Sequence, residues 1–243
     1  MRTPINPSIS VDIVVFGFDG NRLKVLLIER QKLNQNSITE FKLPGSMIAE
    51  NEDLDTSAHN TLQNLTGLKN IYLEQLHVFS NPNRISNEED KRWIEQTYGI
   101  TTNRIVTVSY FSLVKINLSV LKTTMQGKAF WCDVQELKHV SFDHKEIILK
   151  GLERLKSRMQ TTPVAFELLP KKFTIKQLQN LYEAILGIDI DNRNFRKKIL
   201  KYPYLTQLNE KEIKVNHKPA ILYQFDIHAY RQEQRKLKKL KIF

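Results

Sequence analysis

The stretch LPGSMIAENEDLDTSAHNTLQNLTGL, residues 43–68, indicates how the first part of the chain folds. Its Pro-Gly pair ends a short strand that is predicted over residues 41–43. Apolar side chains then recur at spacings of three and four residues, at Leu54, Ala58, Leu62 and Leu65. This period predicts a helix over residues 54–65 with one buried face, and Gly67 is a suitable residue to end it.

Runs of β-branched and aliphatic residues predict strands on both sides of this helix. We expect strands over residues 10–18, 23–29, 71–80, 104–116 and 129–134, and a further helix over residues 145–159. Asp19, Gly20 and Asn21 suit the tight turn of a hairpin between the first two strands. Residues 81–103 form a polar insertion, which we expect to be a surface excursion with helical character at residues 88–98. Strands interspersed with helices indicate an α+β first domain.

The composition is that of a globular protein, since 41% of the 243 residues are hydrophobic and 26% are charged. No apolar run reaches the roughly 18 residues that a membrane helix needs, and the start of the sequence lacks the apolar stretch of a signal peptide. We therefore expect a cytoplasmic protein with no membrane partner. Cys132 is the only cysteine, which excludes an intrachain disulfide and a multi-cysteine zinc site.

Positive charge is concentrated towards the C-terminus. The net charge is +11, and residues 161–243 hold 17 of the 37 basic residues but only 8 of the 26 acidic ones. The segment TTPVAFELLP, residues 161–170, carries two prolines and loses the helical period, so we expect a linker there. These features predict two domains, residues 1–160 and residues 161–243. The basic domain favours a phosphate-rich partner, and the alternative is a charge surplus that only aids solubility.

The predicted elements of the second domain follow the order of a winged helix. Helices are expected over residues 174–186 and 191–201, and strands over residues 211–215 and 220–225. Two helices joined by a short turn and followed by a β-hairpin form a winged helix-turn-helix, whose second helix lies in the major groove of DNA. We therefore expect double-stranded operator DNA as a partner.

The second of these helices, DNRNFRKKILKY, places cations on one face and apolar side chains on the other. Arg193 and Asn194 suit base edges, whereas the lysines suit phosphates. The predicted DNA-binding residues are Arg193, Asn194, Arg196, Lys197, Lys198 and Lys201 in the helix, and Lys214, His217 and Lys218 in the wing. The alternative is a solvated amphipathic helix in a structural domain. The basic tail RQEQRKLKKLKIF is either a frayed end or a DNA-binding arm.

Residues 43–68 resemble a Nudix box, in which a glycine, five residues, a glutamate and seven residues precede R-E-U-x-E-E-x-G-U, where U is aliphatic. Glu52 occupies the first glutamate position, and Gly67 and Leu68 occupy the closing pair. The other defining positions hold Ser46, Asn60, Thr61, Leu62, Asn64 and Leu65. In active members the helix glutamates share one face and hold magnesium ions against a diphosphate. The resemblance therefore implies a Nudix fold with no catalytic residues, no metal site and no cofactor.

The alternative is a magnesium-dependent hydrolase of nucleoside diphosphate-linked substrates. Such an enzyme would need displaced metal ligands, for which Glu50 and Asp53 are the candidates. Thr61, Asn64 and Leu65 argue against it, because they offer two neutral ligands and a hydrocarbon where carboxylates are required.

The resemblance continues over most of the chain. The strings FDH at residues 142–144, FELLPKKFTIKQLQNLYEAILG at 166–187, DNRNFRKKIL at 191–200 and KPAILYQF at 218–225 look like the Nudix-related transcriptional regulators. That family joins a Nudix-like domain, a mixed-sheet α/β/α sandwich, to a C-terminal winged helix, and works as a homodimer. Its Nudix-like domain senses ADP-ribose in the NAD-gene regulators and L-arabinose in another branch. The resemblance implies a ligand-responsive, DNA-binding transcriptional regulator.

The fold resemblance places an effector pocket between the sheet and the helix of residues 54–65. Its predicted residues are Phe16, Arg30, Phe41, Gly45, Ser46, Asp143 and His144. Phe16 and Phe41 have a second interpretation as core residues, and Asp143 has one as a helix cap. Loss of the acidic metal ligands leaves less reason to bind a bare diphosphate, so we expect a neutral sugar such as L-arabinose in preference to ADP-ribose.

Overall fold

A computed structural model describes residues 5–30, 39–116, 121, 123–124, 127–213, 216 and 218–240. The first part contains strands β1 (Ile5–Phe18), β2 (Leu23–Glu29), β3 (Phe41–Lys42), β4 (Gly45–Ala49), β5 (Glu74–Phe79), β6 (Val106–Leu113), β7 (Thr123–Thr124) and β8 (Gly127–Asp133). Its helices are α1 (Leu54–Thr66), α2 (Glu88–Tyr98) and α3 (His144–Thr161). The second part contains α4 (Ala165–Leu168), α5 (Ile175–Leu186), α6 (Asn192–Ile199), β9 (Leu205–Lys211), β10 (Ile221–Phe225) and α7 (Ile227–Leu240).

Strand β1 is the centre of a mixed sheet whose strand order is β5-β6-β1-β2-β8-β7. It runs parallel to β6 and antiparallel to β2, while its first half also pairs with β4. The short strand β3 pairs with β2. Residues 11–18 of β1 are buried on both faces, as is typical of a central strand, and Asp12 is the one charged residue among them.

Helices cover both faces of this sheet, which confirms the predicted α/β/α sandwich. On one face α1 packs through Ala58, Leu62 and Leu65 against Ile13 and Val15 of β1. On the other face α3 contributes Ile147, Ile148 and Leu155 to a core that includes Val14 and Phe16. Alternate side chains of β1 therefore belong to different cores, as the period of a strand dictates.

Helix α1 follows the predicted bounds because its ends are capped by the expected residue types. The Asp53 carboxylate accepts a hydrogen bond from the Thr56 amide at 2.7 Å. Gly67 ends the helix in the left-handed conformation, with φ of 86°.

The insertion at residues 81–103 is not the surface excursion that its polarity predicts. It does contain the predicted helix, α2, but Trp93 and Ile94 of that helix are only 5% and 3% exposed. They pack with Ile85, Ile105 and Met47 in a small core beside β4. The prediction is wrong because a few large apolar residues anchor the segment although most of its residues are polar.

The predicted linker is also wrong, because residues 161–170 are packed rather than extended. Val164, Ala165, Leu168 and Leu169 are at most 2% exposed, and helix α4 forms among them. These residues share one core with α3 and with the helices of the second part. The division into residues 1–160 and 161–243 stays a prediction.

The second part has the predicted order of helix, helix and β-hairpin, but its first strand was misplaced. Strand β9 pairs antiparallel with β10 over residues 205–211 instead of 211–215. Residues 227–240 form α7, so this part of the tail is not a frayed end, and its role as a DNA-binding arm stays a prediction. Within the described ranges, no helix is both long and apolar enough to cross a membrane.

Candidate effector cavity and DNA interface

A cavity of about 50 Å³ lies where β1, β4, the insertion and the start of α3 meet. Its polar lining residues are Ser10, Asp12, Lys42, Ser46, Arg84 and His144. The apolar wall comes mostly from the insertion, as Ile85, Trp93, Ile94 and Tyr98, together with Phe142 and others. The cavity therefore combines ionisable groups from the Nudix-like sheet with an apolar cover.

Asp12 lies at the centre of the ionisable groups. It is 5% exposed, and burial raises the pKa of its carboxyl. Its Oδ1 atom lies 3.4 Å from Nε2 of His144, and its Oδ2 atom lies 3.8 Å from Nη2 of Arg84. Gly45 approaches Asp12 so closely that a Cβ atom at position 45 would overlap Oδ1. A glycine is therefore required where β4 passes the carboxylate.

The hydrogen bonds of His144 fix its tautomer. Its Nδ1 atom accepts the Leu43 backbone N–H at 2.9 Å and so carries no proton. The proton of the neutral ring is then on Nε2, which faces Asp12. Burial and the nearby Arg84 charge lower the pKa of His144 well below its usual range, so the ring is neutral at pH 7.

Lys42 and Arg84 bring two cations to the cavity. Lys42 Nζ donates to the Gly45 carbonyl at 3.1 Å and lies 5.2 Å from the centre of the Trp93 ring. Burial lowers the pKa of Lys42 to about 8. Arg84 donates to both carboxylate oxygens of Asp143, at 2.9 and 2.6 Å, and also to the Thr107 hydroxyl. Arg84 thereby connects the cavity to the residue that precedes α3.

Three of the predicted effector residues, Gly45, Ser46 and His144, line this cavity. Asp143 lies behind Arg84 and, although it precedes α3, its side chain makes no capping hydrogen bond. Arg30 lies outside the cavity wall. It binds Asp90 at 2.6 Å and Glu40 at 2.7 Å, with its guanidinium 5.1 Å from the centre of the Trp93 ring.

Phe16 and Phe41 lie away from the cavity and pack in the core instead. Phe16 is fully buried with its ring edge-on to Phe111, at 6.0 Å between centroids. Phe41 meets Phe130 in the same way at 5.0 Å. Their second interpretation as core residues matches these positions.

Sequence reasoning missed Asp12, Lys42, Arg84 and Trp93. A signal was present for two of them, because Asp12 and Lys42 are charged residues within otherwise apolar strands. A buried charge in such a strand needs a partner, and this requirement points to a site. No comparable signal marked Arg84 or Trp93, whose positions depend on how the insertion folds back.

The Nudix-box positions on α1 do not present an acidic face. Thr61 and Leu65 are buried, while Asn64 is exposed. Glu52 accepts a hydrogen bond from the Asn60 amide at 2.8 Å, and Asp53 caps the helix. Among the described residues, no group of three or more His, Cys, Asp or Glu side chains is placed to hold a metal ion.

Helix α6 presents a continuous basic surface. Its N-terminus is capped by Asp191, whose carboxylate accepts from the Asn194 amide at 2.8 Å. The predicted contact residues of the helix and the turn after it are all exposed, namely Arg193, Asn194, Arg196, Lys197, Lys198 and Lys201. On the opposite face Ile199 is buried, and Phe195 packs edge-on against Tyr182 of α5 at 5.6 Å.

The turn between α5 and α6 is held by three partly buried hydrogen bonds. The Glu183 carboxylate accepts from the Ile190 amide at 3.0 Å and from the Gln179 side chain at 2.8 Å. Gln179 also donates to the Ile190 carbonyl at 2.8 Å. The angle at which α6 leaves the domain is thus fixed. In the wing, Lys218 is exposed, whereas Lys214 and His217 lie outside the described residues.

Comparison with known proteins identifies this second part. Residues 165–225 match the family model of the NrtR DNA-binding winged helix domain. The chain is 28% identical over 229 residues to the ADPR responsive transcriptional repressor NtrR of Acinetobacter baylyi, covering 93% of this chain and 84% of that protein.

Two solved structures resemble the whole chain. One is Shewanella oneidensis NrtR complexed with a 27mer DNA, with a TM-score of 0.61, 25% identity, and coverage of 92% of this chain and 95% of that one. The other is a MutT/nudix family protein from Enterococcus faecalis, with a TM-score of 0.62, 26% identity, and coverage of 93% and 89%. The resemblance to Nudix-related regulators is confirmed: the chain joins a Nudix-like domain to an NrtR-type DNA-binding winged helix.

Proposed function

We propose that this protein is a transcriptional repressor that binds operator DNA through α6 and changes its DNA affinity when the Nudix-like domain binds ADP-ribose. The observation that carries the proposal is the basic face of α6, which lies within the segment matching a DNA-binding winged helix. The solved relative from Shewanella oneidensis was crystallised with DNA, which supports the same use of this part.

The effector is proposed from the relative's name and from the charge of the cavity. The Acinetobacter relative is called ADPR responsive, and no comparison supports the sugar that the sequence favoured. In an active Nudix enzyme, magnesium ions held by carboxylates neutralise the phosphate charge. In this cavity the positive charges of Lys42 and Arg84 are placed for the same role. The loss of metal ligands therefore does not by itself remove the basis for binding a diphosphate.

A free pentose is the second candidate effector, and one observation favours it. A site that buries a nucleotide-sized ligand needs several hundred Å³, whereas this cavity has about 50 Å³. A volume of that size accommodates a group equivalent to a few water molecules. ADP-ribose would have to extend outside the cavity or displace the insertion, whereas a small polar sugar requires less rearrangement.

The DNA-binding proposal is tested by selecting duplexes from a random library on the full chain and measuring the dissociation constant of the selected site. Arg196→Ala should weaken binding and reduce the slope of log K against log salt by about one, because one phosphate contact is lost. Lys145→Ala is the matched control, since Lys145 is an exposed cation on α3. Equal binding by Arg196→Ala and the wild type would exclude α6 from the interface.

The effector is tested by thermal unfolding with ADP-ribose, L-arabinose or other pentoses, with and without magnesium. A ligand that prefers the native state raises the midpoint. Because the box positions on α1 present no acidic face for a metal, we expect a shift with ADP-ribose that does not depend on magnesium. A shift with a pentose alone would select the second candidate.

We further propose that the protein does not hydrolyse its effector. Incubation with ADP-ribose and magnesium should release no product above that of a buffer control. Magnesium-dependent turnover that survives Glu52→Gln would establish the alternative hydrolase, whose metal ligands are displaced from the box positions. We also propose that the chain acts as a homodimer, for which sedimentation at DNA-binding concentrations should give twice the mass of one chain.

A further inference from the structure

Helix α7 lies beyond the segment that matches the winged helix domain, which ends at residue 225. Residues 227–240 hold five basic residues and one acidic residue. A helix of this composition is unfavourable next to the basic α6 unless it has a partner of opposite charge. The recognition surface described above does not require it.

The first turn of α7 is fixed to the base of the hairpin. The Asp226 carboxylate accepts from the His228 and Ala229 amides at 2.8 and 3.0 Å, and the Asp226 amide donates to the Tyr204 carbonyl at 2.8 Å. The Tyr230 ring packs against Tyr204, at 5.3 Å between centroids. The helix therefore leaves the domain in a defined direction.

The same aromatic contacts join α7 to the end of the recognition helix. Tyr202, three residues after α6, stacks on Tyr204 at 5.0 Å with an angle of 19° between the rings. The Tyr204 ring is thus in contact with Tyr202 on the α6 side and with Tyr230 on the α7 side. The segment after α6 and the first turn of α7 therefore meet at this one ring.

Two cations near the start of α7 point into solvent. Arg231 and Arg235 are both exposed and, being four residues apart, lie on one face of the helix. Within the part of the chain that the structure describes, neither forms an ion pair with an acidic side chain. Exposed guanidinium groups at this spacing suit neighbouring phosphates of a nucleic-acid backbone.

We propose that α7 is a second DNA-contacting element, which binds the phosphate backbone flanking the site read by α6. The inference rests on the proposed DNA-binding function. Charge complementarity selects duplex DNA as the occupant, since the helix is strongly basic and a duplex offers a dense row of phosphates. A second copy of α7 is disfavoured as the partner because two such helices would repel each other.

The test is a full-length double variant, Arg231→Gln with Arg235→Gln, measured on the selected duplex with long flanks and on the same site with its flanks removed. On the long duplex the slope of log K against log salt should fall by about two, with the preference for the selected sequence unchanged. On the trimmed duplex the variant and the wild type should bind equally. Arg231→Lys with Arg235→Lys keeps the charges and should restore most of the affinity.

The matched control is Lys69→Gln with Lys145→Gln, which removes two exposed cations from the first domain. If the salt slope on the long duplex fell equally in this control, the effect would come from net charge alone, and the inference would be overturned. If the salt slope were unchanged in the α7 variant while Arg196→Ala still weakened binding, α7 would be excluded from the DNA interface and α6 would remain part of it. If neither variant changed binding, the proposed function would fail as well. A changed sedimentation mass with an unchanged slope would assign α7 to the subunit interface instead.

Discussion

Gly45 is the residue whose replacement tests the geometry of the cavity most directly. In Gly45→Ala the new methyl group would overlap Asp12, so either β4 or the carboxylate must move. Such overpacking typically destabilises a fold by about 1–3 kcal/mol. We expect this loss in denaturant unfolding, whereas Ser46→Ala, on the same strand, should change stability little. Wild-type stability in Gly45→Ala would contradict the described approach of the two residues.

The buried Lys42 should make stability depend on pH in the alkaline range. Its pKa is about 8 in the folded protein and 10.5 when exposed, so the unfolded chain binds more protons between these values. Stability therefore rises as pH increases from 8 to 10.5, and the gain is absent below pH 8. The difference of pKa corresponds to about 3 kcal/mol.

The measurement is the free energy of unfolding of the wild type and of Lys42→Met at pH 7.5 and pH 10. The wild type should gain stability relative to Lys42→Met at the higher pH. Parallel pH profiles for the two proteins would mean that Lys42 is not desolvated as the structure describes.

At the residue level, the sequence could indicate a place in the cavity wall where the position along the box fixed it, but not where the contacting residues are distant. Gly45 and Ser46 could be placed because Gly45 ends the Leu-Pro-Gly string and Ser46 is the next residue. Asp12, Lys42 and Arg84 meet only through the pairing of β1 with β4 and the folding of the insertion. Contacts between residues so far apart in sequence leave no local pattern.

At the scale of elements, α2 should determine whether the cavity can hold an effector. Trp93 supplies part of the wall, and two cations, Lys42 and Arg30, lie 5.2 and 5.1 Å from the centre of its ring. Trp93→Leu should cost about 2 kcal/mol and abolish the rise in thermal midpoint that an effector causes. DNA affinity without effector should stay within twofold of the wild type, because α6 is untouched. A full effector response in this variant would show that the insertion is not part of the site.

Elements with their own capping residues were predictable, and elements defined by their partners were not. Helices α1 and α2 both end at a left-handed glycine, Gly67 and Gly99, that the sequence displays. Strand β4 was missed because it is only five residues long and begins at the glycine of the Pro-Gly pair, which was interpreted as a turn. Strand β9 was misplaced because its register is set by pairing with β10, and its own residues are mostly exposed.

At the scale of the whole molecule, the core that runs from α3 into α5 should make the chain unfold as one unit. Leu155 of α3 and Leu178 and Leu181 of α5 belong to the same buried cluster. We expect a single calorimetric transition with equal calorimetric and van't Hoff enthalpies. Leu155→Ala should lower the midpoint of that one transition, with a loss of about 2–5 kcal/mol. Two separated transitions would instead support independent domains.

The insertion joins β5 and β6, neighbouring antiparallel strands in which Phe79 pairs with Thr107. Its two ends therefore emerge side by side, so the segment between them can vary while the pairing of β5 with β6 is kept. Regulators that share this fold could respond to different ligands through changes in this one connection, while α6 continues to contact the same DNA. Residues 81–103 are therefore the segment to redesign when this protein is engineered as a biosensor.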